Sequence, residues 1–152
     1  MTVVIQRIQK AAVNADGTPS GEAEKGLLLL IGVRKGDTVE ICEKSVQKIA
    51  KMRIFEDEQG KMNLSVQDIG GSVLAVSNFT LCASCRHGNR PDFFGAERPE
   101  VANRLYEHFV ETLRRLGIST QTGVFGADMQ IDAKLDGPVT IVFDSDKDLS
   151  GK

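Results

Sequence analysis

The residues with the strongest intrinsic reactivity in this sequence are its cysteines and histidines. Cys82-Ala-Ser-Cys85 has CxxC spacing, and His87 follows two residues after it. A structural zinc site needs a full tetrahedral set of ligands, and no second cysteine pair completes one. A redox-active CxxC is expected at a helix N-terminus, whereas this one should follow a strand. We therefore predict neither a metal nor a cofactor, and a metal or thiol protein stays an alternative.

Other common catalytic patterns are missing. The sequence has no GxSxG elbow and no Walker A loop. The second histidine, His108, lies inside a predicted helix between apolar positions, which favours a surface or packing role. Gly123, Gly126 and Gly137 lie between or inside predicted strands, where bulges and turns are the ordinary interpretation. Close approach of their backbone to a ligand is the alternative.

Composition and charge limit the class of protein. The chain has 152 residues, 41% of them hydrophobic and 26% charged, which suits one globular domain. A net charge of −2 argues against a protein that coats nucleic acid, such as DNA, by bulk charge, although a local basic patch stays possible. Three cysteines are too few for a disulfide framework, and the first residues lack a leader pattern. The longest apolar run, residues 27–31, is too short for a bilayer, so we expect a cytoplasmic protein without membrane contact.

The apolar pattern predicts two helices. The apolar residues between 39 and 49 are spaced for one helix face, and Asp37 or Thr38 can cap that helix. The stripe between residues 101 and 116 predicts a longer helix, begun by Pro99 and ended by Gly117.

The other segments predict strands around these helices. Residues 2–15 and 27–33 are expected to form strands on either side of a turn. Further strands are expected at 53–55, 72–81, 118–122, 124–133 and 139–143. The predicted fold is a single α/β domain over residues 1–144, with mixed, largely antiparallel sheets forming a barrel-like layer. The charged segment 145–152 is expected to be a frayed, disordered tail.

Two segments of the sequence match a known enzyme family. Ser77-Asn78-Phe79-Thr80-Leu81 and Asp136-Gly137-Pro138-Val139-Thr140 resemble the Ser-Gln-Phe-Thr-Leu and Asn-x-Gly-Pro-Val-Thr motifs of the D-aminoacyl-tRNA deacylases. Asn78 replaces the family's Gln, and Leu135 replaces its Asn. Further segments match in order from Met1 to about Asp144, among them Ile5-Gln6-Arg7, Met52-Arg-Ile-Phe55 and Thr120-Gln-Thr-Gly123.

The resemblance implies a function and a set of site residues. It implies hydrolysis of the ester bond of D-aminoacyl-tRNA, and of mischarged glycyl-tRNA, as chirality proofreading in translation. The catalytic residues would be Ser77, Asn78, Phe79 and Thr80. The residues that bind substrate and reject L-amino acids would be Gly137, Pro138, Arg7, Phe125 and Met129. On sequence alone Phe125 and Met129 would be assigned to the core, and Arg7 to the surface.

The resemblance also implies an assembly and a mechanism. Family members are homodimers, and a cis Gly-Pro peptide of one subunit enters the pocket of the other. Water would be the nucleophile, backbone N–H groups near Phe79 and Thr80 would form the oxyanion hole, and the ribose 2′-hydroxyl would assist proton transfer. The partner would be the 3′-terminal adenosine and acceptor end of tRNA. The alternative is a non-catalytic module that binds the tRNA end.

Overall fold

The computed structural model describes residues 1–151 and consists of a large sheet, a small hairpin and helices on one face. Its strands are β1 (Thr2–Ala15), β2 (Thr18–Ala23), β3 (Gly26–Gly32), β4 (Phe55–Glu56), β5 (Met62–Leu64), β6 (Ser72–Ser77), β7 (Ser119–Thr122) and β8 (Met129–Asp144). Its helices are α1 (Val39–Ala50), α2 (Pro99–Arg115) and α3 (Ser145–Asp148). A short 3-10 helix, Phe79–Cys82, follows β6 and is named the 79–82 turn below.

Strand β1 organises the large sheet. One edge of β1 pairs with β3 and then β2, and the other edge pairs with β8 along its whole length, all antiparallel. Strand β3 pairs in parallel with β6, and β6 pairs in parallel with β7. The predicted mixed, largely antiparallel sheet is therefore confirmed.

The sheet curls until strands β2 and β7 meet. Ser20 Oγ donates to the Thr122 carbonyl at 3.0 Å, and the Glu22 N–H donates to Gln121 Oε1 at 2.9 Å. A Cβ on Gly21 would lie 2.4 Å from the Thr122 oxygen, so the approach requires glycine. The result is the nearly closed, barrel-like sheet that the sequence predicted.

The helices cover one face of this sheet. Thr38 caps α1 by accepting the Ile41 N–H at 3.2 Å, and both long helices bury their apolar stripes against β1 and β3. A smaller apolar cluster, which includes Ile8, Leu28 and Leu74, lies on the opposite face. No helix within residues 1–151 is long and apolar enough to cross a membrane.

Three predicted strands differ from the structure in their bounds. The strand expected at 72–81 ends at Ser77, where β3 also ends, and the chain turns into the 3-10 helix. Residues 124–128 form a loop instead of a strand, because Asp16 and Asp128 hydrogen-bond each other across it at 2.8 and 3.2 Å. Strand β8 then runs unbroken to Asp144, and only Phe55 of the segment 53–55 is in a strand.

The segment 145–152 was expected to be a disordered tail, which is wrong for Ser145–Asp148 because they form α3. The nitrogen of Met1 donates to Ser145 Oγ at 2.6 Å, and Arg34 Nη2 donates to the same oxygen at 2.9 Å. Asp144 caps the helix by accepting the Asp146 N–H at 3.0 Å. These contacts join residues far apart in the chain, so local composition does not reveal them.

Candidate active site

A cavity of about 950 Å³ lies where β3 and β6 end, beside the first turn of α2, from which Pro99 and Ala102 line it. Leu30 and Val76 belong to its wall, and the smaller apolar cluster packs behind them. The cavity brings together six of the residues singled out in the sequence: Ser77, Asn78, Phe79, Thr80, Phe125 and Met129. Residues 77–80, which carry the first family motif, therefore share one site with Phe125 and Met129.

The 79–82 turn is held against the end of β3 by close backbone packing. The Asn78 N–H donates to the Ile31 carbonyl at 2.8 Å. A Cβ on Gly32 would lie 2.9 Å from Leu81 Cβ and 3.1 Å from the Asn78 oxygen. Glycine at position 32 thus allows the turn to lie directly on the strand, which fixes its position.

Two backbone N–H groups of this turn are free. Within residues 1–151, the N–H groups of Phe79 and Thr80 have no hydrogen-bond acceptor, and the Asn78 side chain does not cap them. Both residues are exposed and line the cavity. Adjacent free N–H groups that face a cavity can bind a carbonyl oxygen or an oxyanion.

The side chains of Asn78 and Thr80 interact with each other. Thr80 Oγ1 donates a hydrogen bond to Asn78 Oδ1. An amide oxygen accepts hydrogen bonds but is too weak a base to remove a proton. This contact therefore orients the hydroxyl without activating it. Asn78, although shorter than the family's Gln, still reaches a partner inside the site.

Phe125 and Met129 form a second wall of the cavity. The Phe125 ring lies 6.1 Å from the ring of Tyr106 on α2, and the Tyr106 hydroxyl donates to the Ala75 carbonyl at 2.8 Å. Burial raises the pKa of Tyr106 to about 12, so its hydroxyl stays a donor at neutral pH. A Cβ on Gly123 would lie 2.5 Å from Met129 Sδ, and glycine there leaves room for the thioether. Both residues also pack against the apolar clusters, as their residue types alone suggested.

The cavity has aromatic and basic residues that the sequence reasoning missed. The rings of Phe79 and Phe93 pack edge to face with centroids 5.2 Å apart, and Phe94 is 80% exposed at the cavity. Lys35 and Arg98 are exposed and line the same cavity. The available signal was the adjacent pair of phenylalanines in an otherwise polar loop.

Arg7, Gly137 and Pro138 lie elsewhere in the subunit, because none of them lines this cavity. They occur where the β1–β8 register is irregular, between the pairs Gln6–Thr140 and Ile8–Leu135. The Gly137-Pro138 peptide bond is cis, in agreement with the resemblance. Gly137 and Pro138 are exposed.

Arg7 is buried at this register irregularity. The surface position inferred from its residue type alone is therefore wrong. Only 7% of Arg7 is exposed. Its Nη1 donates to the Ile54 carbonyl at 2.8 Å, and its Nε lies 3.2 Å from Asp136 Oδ2. A guanidinium buried with a carboxylate and a carbonyl holds the segment before Gly137 in one position.

The remaining reactive side chains lie outside the cavity or are inert. Cys82 belongs to the 79–82 turn rather than to a strand, and burial raises the pKa of its thiol. Cys85 is exposed in the following loop. His108 Nε2 lies 2.9 Å from Glu43 Oε1, and His108 lines a separate groove of about 560 Å³ along α2. Within residues 1–151, no cluster of three or more His, Cys, Asp or Glu side chains is placed to hold a metal.

Known proteins resemble this chain over nearly its whole length. A family model described as D-Tyr-tRNA(Tyr) deacylase matches residues 4–144. This chain belongs to that family. A D-aminoacyl-tRNA deacylase of Lactobacillus delbrueckii subsp. bulgaricus is 52% identical over 144 residues, which are 95% of this chain and 99% of the relative. One from Koribacter versatilis is 51% identical over 148 residues, which are 97% and 99% of the two chains.

Solved structures share the same fold. The c-Myc DNA unwinding element binding protein superposes with a TM-score of 0.88 at 38% identity, over 95% of this chain and 98% of that one. A probable eukaryotic D-amino acid tRNA deacylase superposes with a TM-score of 0.80 at 17% identity, over 94% and 99% of the two chains. At that identity the second likeness shows the fold alone.

Proposed function

We propose that this protein hydrolyses the ester bond of D-aminoacyl-tRNA, and of mischarged glycyl-tRNA, in the cytoplasm. The observation that carries the proposal is the pair of free N–H groups at Phe79 and Thr80 in a cavity that also has an aromatic and thioether wall. Ester hydrolysis needs a site for the oxyanion, and an aminoacylated RNA end needs a flat apolar surface for its last base. The membership of the chain in the deacylase family supports the same reaction.

The proposed chemistry uses water and the backbone. The two N–H groups bind the carbonyl oxygen of the ester and stabilise it as it becomes an oxyanion. Water is the nucleophile, because the Thr80 hydroxyl donates a hydrogen bond to the Asn78 amide oxygen, which is too weak a base to activate it. The 2′-hydroxyl of the terminal ribose assists proton transfer. Phe125 and Met129 contact the adenine.

The proposed chirality filter is supplied by a second copy of the chain. Gly137 and Pro138 are exposed and outside their own cavity, so they reach an ester only in a neighbouring subunit. Strand β8 also exposes large apolar side chains, with Ile131, Leu135 and Val142 37%, 44% and 65% exposed. A symmetric dimer through this strand would cover apolar surface and bring each filter to its partner's cavity.

The filter works by position rather than by chemistry. Backbone carbonyls at Gly137 and Pro138 would bind the α-amino group, and an L side chain would then collide with them. A D side chain would point away, and glycine, which has no side chain, would be accepted. Arg7 and Asp136, whose atoms lie 3.2 Å apart, keep the carbonyls in place.

The direct test is hydrolysis of tyrosyl-tRNA of both configurations by the purified protein. Fast loss of the D ester with the L ester intact supports the proposal. Tight binding without loss of either ester would make the protein a tRNA-end-binding module instead. Loss of activity with a chelator, or in a Cys82→Ser/Cys85→Ser variant, would favour a metal or thiol mechanism. Duplex DNA as a competitor tests whether the DNA binding in the name of one structural relative applies here.

The filter itself is tested by Gly137→Ala. Gly137 has φ +129°, and an added Cβ would lie 2.7 Å from the Val139 nitrogen, so the backbone has to move. We expect the ratio of kcat/KM for D over L esters to fall by about tenfold or more, equal to about 1.4 kcal/mol of discrimination. Gly60→Ala is the matched control, because Gly60 also has positive φ but has open space around it. Unchanged selectivity in Gly137→Ala would contradict the filter.

A further inference from the structure

Phe94 is the most exposed large apolar residue of the described chain, at 80%. It lines the mouth of the candidate active site, yet the proposed chemistry assigns it no contact. A phenylalanine ring in water is unfavourable because its apolar surface stays hydrated. Its position at the cavity therefore calls for a ligand that covers the ring.

The backbone on both sides of Phe94 is fixed. Before it, Ser84 and Asp92 exchange two backbone hydrogen bonds at 2.9 and 3.0 Å, and the Phe94 N–H donates to Asp92 Oδ1 at 3.2 Å. After it, the Gly95 carbonyl accepts the Lys35 N–H at 3.0 Å. The exposed ring thus projects from a backbone that is ordered before any ligand binds, which lowers the entropic cost of binding.

The charge around Phe94 favours a polyanion. Exposed Arg86 and Arg90 precede Phe94 in its loop, whereas Arg98 and Lys35 line the cavity with it. Three carboxylates, those of Asp92, Glu97 and Asp128, belong to the same loop or lining, so the four cations exceed them by one, whereas the chain as a whole has a net charge of −2. The mouth of the cavity is therefore a locally basic surface with an unpaired aromatic ring, a combination that binds single-stranded nucleic acid.

We infer that Phe94 stacks on the nucleobase that precedes the terminal adenosine of tRNA, with Lys35 and Arg98 beside the phosphate that joins the two nucleotides. This inference rests on the proposed function. In that function the adenine contacts Phe125 and Met129, and the ester contacts the 79–82 turn. The RNA strand that continues from the adenosine has to leave the cavity, and Phe94, Lys35 and Arg98 are lining residues that can contact a base and a phosphate on that path.

The test compares substrates that differ by one nucleotide. D-tyrosyl-adenosine ends at the adenosine, D-tyrosyl-cytidylyl-adenosine adds the preceding nucleotide, and D-tyrosyl-tRNA adds the rest. Stacking of one base on an aromatic ring changes affinity by about 5- to 100-fold. We expect Phe94→Ala to lower kcat/KM by about that factor for the two longer substrates and to leave D-tyrosyl-adenosine within about twofold. Phe94→Tyr should retain activity on all three, and Phe94→Leu should behave like alanine, because the flat ring is what stacks.

Met62→Ala is the matched control, because Met62 is 53% exposed and lies on the small β4–β5 hairpin. An equal loss on all three substrates would overturn the inference and assign Phe94 to the ester or its amino-acid side chain. No loss on any substrate would also overturn it. If Phe94→Ala changes the oligomeric state, measured as the mass of the protein in solution, the ring is a subunit contact instead. If the unaltered protein hydrolyses none of the three, the proposed function itself fails.

Discussion

At the level of single residues, the hydroxyl of Thr80 is hydrogen-bonded to the Asn78 side chain. The N–H groups of Phe79 and Thr80, by contrast, have no acceptor within residues 1–151. The reactive part of the first motif is therefore its backbone. A side-chain substitution there tests catalysis only when it changes an N–H group or its position.

Phe79→Pro removes one proposed oxyanion donor. Asn78, at φ −145° and ψ 89°, lies outside the helical region that a following proline disfavours, and the first residue of a helix tolerates proline. We expect kcat for D-tyrosyl-tRNA to fall about 10²- to 10³-fold, the usual effect of losing one such donor. Phe79→Ala, which lacks the ring but keeps the N–H, is the control. Similar rates for the proline and alanine variants would exclude the Phe79 N–H from the oxyanion site.

At the level of elements, the 79–82 turn has its position because β3 ends in a glycine. The Gly32 Cα lies so close to the turn that a methyl group would meet both Leu81 and the Asn78 carbonyl. These neighbours include backbone, which cannot rotate away as a flexible side chain can.

Gly32→Ala should therefore displace the turn. We expect kcat to fall about tenfold or more, together with a loss of about 1–3 kcal/mol in the free energy of unfolding, as for other overpacked sites. Gly71→Ala is the comparison, because a Cβ there would also be crowded, at 3.0 Å from the Lys25 oxygen and from Val66 Cγ2, but at the opposite end of β6 from the turn. Urea unfolding and D-tyrosyl-tRNA hydrolysis measure the two effects. Equal loss of activity in both variants would mean that stability, not the turn, explains the result.

The sequence predicted these elements well where the pattern was local. The stripe of α2, the Thr38 cap of α1 and the continuous apolar run of β3 all specify their elements without knowledge of the rest of the fold. The end of β6 was placed wrongly because Phe79 and Leu81 have the residue types of a strand, and only the packing of Gly32 against the turn ends it. The loop 124–128 and the helix α3 depend on contacts with Asp16 and Met1, more than 100 positions away.

The candidate site was predicted only in part, for a similar reason. The family motifs selected Ser77–Thr80, Phe125 and Met129, which do share one cavity. Phe94 and Lys35 belong to no motif, and they reach the cavity because the segment 92–97 folds back on β3, where the Glu97 N–H donates to the Val33 carbonyl at 3.0 Å. Residue type gave Arg7 a surface position, since the register irregularity that buries it has no local pattern.

At the level of the whole molecule, the proposed site takes its catalytic turn from one subunit and its filter from another. This separation predicts that two differently defective variants complement each other. A Phe79→Pro chain keeps its filter, and a Gly137→Ala chain keeps its turn. A mixed dimer would then contain one site with both parts intact.

We expect excess Phe79→Pro chain, after exchange of subunits, to suppress hydrolysis of L-tyrosyl-tRNA by Gly137→Ala while hydrolysis of D-tyrosyl-tRNA persists. The two rates are followed in the same mixture as the ratio of chains rises. A chain that is defective in both parts, Phe79→Pro/Gly137→Ala, is the control and should suppress no L activity selectively. If the first mixture shows only the sum of its components, turn and filter do not come from different subunits.

The stability of the whole fold should fall at alkaline pH because the buried groups Cys42, Tyr106 and Cys82 ionise with difficulty. Burial raises the pKa of Cys42 from 9.0 to about 12 and that of Tyr106 from 10.0 to about 12. A group whose folded pKa is raised stabilises the fold fully below its unfolded pKa and loses that contribution as the pH rises to the folded pKa. For Cys42 this interval is pH 9 to about 12, and for Tyr106 it is pH 10 to about 12.

Urea unfolding between pH 8 and pH 10.5 measures this loss. Cys42 alone should contribute up to about 1.4 kcal/mol per pH unit above its unfolded pKa. Cys42→Ala lowers stability at pH 8 because it leaves a cavity, but its curve should be flatter above pH 9. Cys85→Ala removes an exposed thiol and should keep the slope of the unaltered protein. Parallel curves for all three proteins would contradict the assignment to Cys42.

Strand β8 also fixes the distance between Met129 and Gly137. Met129 at its start lines the cavity of its own subunit, and Gly137 lies eight residues later along the same extended strand. At about 3.3 Å per residue the two are separated by about 26 Å, and one added residue would turn the following side chains to the opposite face. Exposed segments usually tolerate inserted or deleted codons. This strand should not: among related genes the number of codons between these two positions should stay constant.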